Sequence, residues 1–134
     1  MRPSAADTEQ PPPGQTLAVI AQSLYLINLL LLPGLAFVLL ALLYWRRVDT
    51  APPLARCHLR QTWYGSLWAG TLIIGVNLLI LLLGGYQAAG TWAILIAYFT
   101  VIHASLVMLG ILGLARALAG QCWRFPLIGP RLEV

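Results

Sequence analysis

Residues 17–45 read LAVIAQSLYLINLLLLPGLAFVLLALLYW, 29 positions without one charged side chain. At about 1.5 Å per residue a straight helix of that length reaches roughly 43 Å, well beyond the roughly 30 Å hydrocarbon layer of a bilayer. Pro33-Gly34 interrupts the run. Proline has no backbone N–H to donate and its ring crowds the preceding turn, so a kink or break is expected there. Two readings follow: one long, tilted and kinked span, or an interfacial helix followed by the span proper. A full hairpin is disfavoured at this level, because the part after Gly34 is too short to cross.

Working outward, residues 63–83 and 91–119 form two further apolar stretches, each long enough to span. Between them lies Gly84-Gly85-Tyr86-Gln87-Ala88-Ala89-Gly90, which is uncharged and begins and ends in glycine, as suits a short turn between antiparallel helices. The whole chain of 134 residues is 60% hydrophobic and 9% charged, against about 25% charged for an ordinary soluble domain. The fold class expected is therefore all-α: a membrane bundle of three transmembrane helices at about 17–45, 63–83 and 91–119, the first kinked or broken near Pro33-Gly34. Residues 1–16, with Pro11-Pro12-Pro13-Gly14, read as a disordered proline-rich tail. Residues 120–134, punctuated by Pro126 and Pro130, read as an interfacial segment.

Charge gives the expected orientation. All eight basic residues are arginines, and seven of them (Arg46, Arg47, Arg56, Arg60, Arg116, Arg124 and Arg131) lie in the loop after the first segment or around the end of the third. The Gln87 turn has none. Basic loops favour the cytoplasm, so three spans would place the N-terminus outside (periplasmic in a bacterium) and the C-terminus inside, in the inner membrane. Tyr44, Trp45, Trp63, Tyr64, Tyr86, Trp92 and Trp123 fall near segment ends, where aromatic rings favour the membrane interface.

Three short patterns stand out: Arg46-Arg47-x-Asp49 at the end of the first region, His58-x-x-Gln61-Thr62 leading into the second span, and Trp123-Arg124-Phe125-Pro126 near the terminus. In these the chain resembles small bacterial multispanning membrane proteins of unknown function that are distantly similar to the channel-like small subunit of the chloroplast inner-envelope protein translocon. The resemblance runs over most of the chain after Leu17. It departs from the family pattern in its few acidic residues in the first loop and in its proline-rich tail. It implies a fold and a topology, and no reaction.

Among single residues, His103 falls near the middle of the third segment, where an ionisable group usually has a partner or a task. A haem ligand or proton-relay position is one reading; a neutral imidazole bonded to a neighbouring helix is the simpler one and is preferred. A second intramembrane histidine is absent from the sequence, so bis-histidine ligation would need another subunit. Asn28 and Asn77 read as amides that join helices. Ser66 and Gly70, Thr71 and Gly75, and Ala93 and Ala97 place small residues four apart, and Gly110 and Gly113 continue such a face on the third segment, allowing close helix packing within the chain or against another protein. Arg46, Arg47, Arg56, Arg60, Trp123, Arg124 and Phe125 are expected to meet lipid headgroups or a partner, as is His58 between its arginines. Cys57 and Cys122 have neither CxxC spacing nor enough ligand neighbours for zinc, and free interfacial thiols are expected rather than a disulfide.

The catalytic templates fail. There is no GxSxG, HExxH or phosphate-binding glycine loop, and the four acidic residues lie in tails or loops. Nor do the arginines form a stripe interleaved with aromatics for nucleic acid. The expectation is a non-enzymatic accessory or structural subunit of a larger bacterial inner-membrane complex, with bound lipids and other membrane subunits as partners and with no metal or cofactor. A small transport or translocon-like component is the alternative, and a haem-associated electron-transfer subunit using His103 the third.

Overall fold

The computed structural model describes residues 10–131; most of the stretch read as a disordered tail, residues 1–9, and the last residues, 132–134, lie outside the described residues. In chain order the elements are α1 (Gln15–Leu30), α2 (Leu35–Arg47), α3 (Pro53–Leu82), a 3-10 turn (Gly85–Gln87) and α4 (Ala89–Leu118). The fold is all-helical among the described residues, as expected. The number of spans is not: among the described residues two helices, α3 and α4, are long and apolar enough to cross a membrane, rather than three.

The correction lies in residues 17–45. The N–H groups of Leu31 and Leu32 both reach the Ile27 carbonyl at 2.9 Å, Pro33 has no N–H, and Gly34 adopts φ 88°, a left-handed value that glycine tolerates without a Cβ clash. Asn28 completes the break: its Oδ1 accepts the Gly34 N–H at 3.1 Å. What looked like an amide joining helices therefore caps an interruption within its own segment. The chain reverses here, leaving α1 with 16 residues and α2 with 13, or about 24 and 20 Å, each short of a bilayer core.

Both ends of this α1–α2 hairpin lie where α3 starts and α4 stops. Gln15 Nε2 donates to the Leu118 carbonyl at 2.6 Å, and Pro12 packs against Gly120. At the other end of the hairpin the Arg56 guanidinium donates to the carbonyls of Val48, Asp49 and Ala51 at 3.1–3.2 Å. The first apolar region thus returns to the end of the bundle from which it entered, so among the described residues both ends of the chain lie at that one end.

Pro53 opens α3, where its missing N–H costs nothing because the first turn has no intrahelical partner for it. The helix starts ten residues before the expected span and includes Arg56 and Arg60. α3 and α4 join through the 3-10 turn into the antiparallel pair that the glycine-bounded stretch suggested. There Tyr86 donates to Asn77 Oδ1 at 2.6 Å and Tyr98 to the Leu72 carbonyl at 3.1 Å.

Burial is confined to one end. Buried residues on α3 stop at Ala69, and those on α4 are Leu106, Gly110, Gly113 and Ala117. The buried face of α1 is Ala18, Ala21, Gln22 and Tyr25, one helical stripe wedged between α3 and α4. Tyr25 lies beside Gly65 and Gly110, and Leu30, five residues on, is about 7.5 Å further along. The tip of the hairpin thus ends about level with Ala69, far short of Leu82.

Candidate functional site

The polar and cross-linked side chains gather at the end where α1 and α3 begin and α4 finishes. Its centre is His58, completely buried on the first turns of α3. The ring Nε2 lies 2.9 Å from the Gln121 carbonyl, which can only accept, so Nε2 carries a proton. In the neutral ring Nδ1 is then an acceptor, and it receives Gln22 Nε2 at 2.8 Å. One imidazole thereby joins α1, α3 and the segment after α4. The expectation that His58 faces headgroups or a partner is overturned, since its helical face packs inward on α1.

One turn along, Gln61 reads the backbone of the C-terminal segment in both senses. Its Oε1 accepts the Phe125 N–H at 3.0 Å, and its Nε2 donates to the Pro130 carbonyl at 3.1 Å. Between these points the segment curls on itself. The Gly129 N–H donates to the Phe125 carbonyl at 3.0 Å, Arg124 Nε donates to the Gly129 carbonyl at 3.0 Å, and Leu127 at the tip takes φ 65° and is almost fully exposed.

Phe125 is the apolar anchor of this segment. It is completely buried, with its ring centroid 5.5 Å from that of Tyr25 and its edge against Gly65, where a Cβ would lie 2.8 Å from the ring. It is a core side chain, not the lipid or partner contact expected of it; Trp123, half-buried, stacks obliquely on it at 5.5 Å. Cys57 and Cys122 close the arrangement as a disulfide with Cα atoms 5.9 Å apart across 65 residues of sequence. This corrects the expectation of free thiols: the pairing depends on the fold of the segment back onto α3, which spacing does not encode.

The remaining residues fall into distinct places. Gly110 and Gly113 accommodate α1, since a Cβ at Gly110 would lie 2.5 Å from Leu26 and one at Gly113 2.6 Å from the Gln22 amide. Among the described residues, Gly70 and Gly75 have nothing within 4 Å of such a Cβ. Ser66 is buried, and its Oγ, like Gln22 Oε1, has no hydrogen-bond partner among the described residues. Asn77 bonds to the Ile73 carbonyl and to Tyr86. His103 stacks on Phe99, centroids 5.0 Å apart, beside a narrow cleft shared with Asn77 and Tyr98. Arg46 and Arg47 are exposed at the end of α2, next to an aromatic cluster in which Trp63 packs on Phe37, Tyr44 and Trp45 at 5.1–5.8 Å. Arg56 instead fastens its own loop, and Arg124 its own segment.

Gln22, Gln61 and Gln121 went unread in the sequence as site residues. The signal for the first was available: Ala18, Ala21, Gln22 and Tyr25 form a small and polar stripe at i, i+3, i+4 and i+7, the inverse of a lipid-facing surface. No group of three or more metal-ligating side chains is gathered among the described residues. The chemistry the site offers is thiol–disulfide exchange at Cys57–Cys122 and backbone recognition by Gln61. Comparison with protein-family models, curated proteins and solved structures gives no match.

Proposed function

We propose that this chain is a non-catalytic accessory subunit of a larger assembly in a bacterial inner membrane. In this reading the α3–α4 hairpin crosses the bilayer and the α1–α2 hairpin dips into it from the basic end without crossing. The seven arginines then put that end, with the start of α1 and the C-terminal segment, in the cytoplasm. Arg46 and Arg47, exposed beside Trp45, meet anionic headgroups there.

The observation that carries the proposal is the bare distal half of the hairpin. Within the most apolar 18-residue windows only 22% of α3 and 11% of α4 is buried by the chain itself, and Gly70 and Gly75 open onto free space on that half. Helices in lipid gain little from apolar burial and associate through close backbone approach, which small residues permit. α1 already uses Gly110 and Gly113 in this way. Gly70 and Gly75 offer the same approach to a helix from another subunit.

The test is purification of the tagged chain in mild detergent, with identification of whatever co-purifies. A stoichiometric membrane partner that is retained by the native chain and lost from Gly70→Leu supports the proposal. A pure homo-oligomer that conducts ions in liposomes would replace it with the translocon-like alternative that the resemblance and the polar residues of the apolar segments motivate.

A further inference from the structure

We propose that Cys57–Cys122 is a reversible thiol–disulfide clasp that decides whether the C-terminal segment, residues 121–130, stays seated against α1 and α3. Three observations meet here. First, the bond is reachable: Cys122 is exposed on a segment without regular helix, and Cys57 is only half-buried. Second, it is the one covalent tie between this segment and α3, since the sequence holds only two cysteines; thiol–disulfide exchange can therefore make or break that tie.

The third observation is a conflict of compartments. The disulfide sits at the end carrying seven arginines, and the basic-loop rule assigns that end to the cytoplasm, where thiols are kept reduced and disulfides are transient or regulatory. A disulfide that forms there is a switch rather than a permanent staple. This part of the argument rests on the sidedness proposed above.

The exchange balances with a dithiol reductant, protein or small molecule. One reductant thiolate attacks the exposed Cys122 Sγ, the S–S bond breaks, and Cys57 leaves as a thiolate. The second reductant thiol then attacks the mixed disulfide and releases Cys122. The clasp gains two electrons and two protons, and the dithiol becomes a disulfide. What remains holding the segment is the Phe125 ring with Trp123 and Ile128 packed on the same core, the two Gln61 bonds, and the bonds of Gln121 to His58 and Arg116. Once they let go, the groove between Tyr25, Gly65 and Gln61 is uncovered together with the aromatic-Arg-aromatic-Pro segment that filled it.

The experiment uses the purified full chain in detergent, oxidised or treated with dithiothreitol, under limited trypsin digestion with the cut sites assigned by mass spectrometry. Cleavage after Arg124 is expected to be at least tenfold faster in the reduced protein, to slow again on reoxidation, and to be fast in Cys122→Ser whatever the redox state. Equal cleavage in both states, with the disulfide verified in one and absent from the other, would overturn the clasp. In cells, acid-trapped thiols should show the pair shifting towards the reduced form when a permeant dithiol is added and recovering when it is removed. A pair locked in the oxidised form throughout would make it a structural staple and overturn the switch. Because the trypsin comparison needs no partner, its failure is distinguishable from failure of the subunit proposal, which co-purification reads.

Discussion

Gln22 of α1 and His58 of α3, 36 residues apart in sequence, share a 2.8 Å hydrogen bond with both side chains completely buried. The imidazole spends its other nitrogen on the Gln121 carbonyl, so the wedge helix, the long hairpin and the terminal segment meet at one ring. Neither group has water to fall back on. Breaking one side of such a pair strands the other, which costs more than the bond itself contributes.

A double-mutant cycle measures this. His58→Leu and Gln22→Leu should each destabilise the chain by about 1–3 kcal/mol, the penalty for one unsatisfied buried polar group. The double variant should lose clearly less than the sum, since it removes both partners together. Thermal unfolding in a single detergent, with the disulfide kept intact, reads all four corners; additive losses would mean that the two side chains act independently.

The glycines of the two long helices should separate by their neighbours. Gly113→Leu drives a side chain into the Gln22 amide and should cost about 1–3 kcal/mol as an overpacked contact, together with faster proteolysis of the α1–α2 hairpin. Gly70→Leu, facing open space, should leave unfolding of the isolated chain unchanged or raise its midpoint slightly, because leucine is the better helix former. Identical midpoints for Gly113→Leu and the native chain would contradict the wedge.

Sidedness is accessible to labelling. In a background with both native cysteines changed to serine, Gln87→Cys should react with an impermeant maleimide in intact cells, whereas Gln10→Cys and Asp49→Cys should react only after lysis. Reaction at Gln10 but not at Asp49 would restore three spans. Reaction at both, with Gln87 protected, would turn the hairpin over and place the disulfide in the oxidising compartment.

The two long helices, the turn around Gln87 and the interruption at Pro33-Gly34 were all legible in the sequence. Each rests on a local property, namely an uninterrupted apolar run, glycines at a turn, or a missing backbone donor. The collection of arginines towards one end was legible too, as a feature of composition. Which way the chain goes after Gly34 was not, because a kink and a reversal begin with the same broken hydrogen bonds. The choice falls to the stripe of Ala18, Ala21, Gln22 and Tyr25, which packs only where Gly65, Gly110 and Gly113 leave room. The burial of Phe125 and the pairing of Cys57 with Cys122 depend in turn on that packing. They join residues 60 or more positions apart whose proximity no local pattern specifies, so tertiary structure alone decides them.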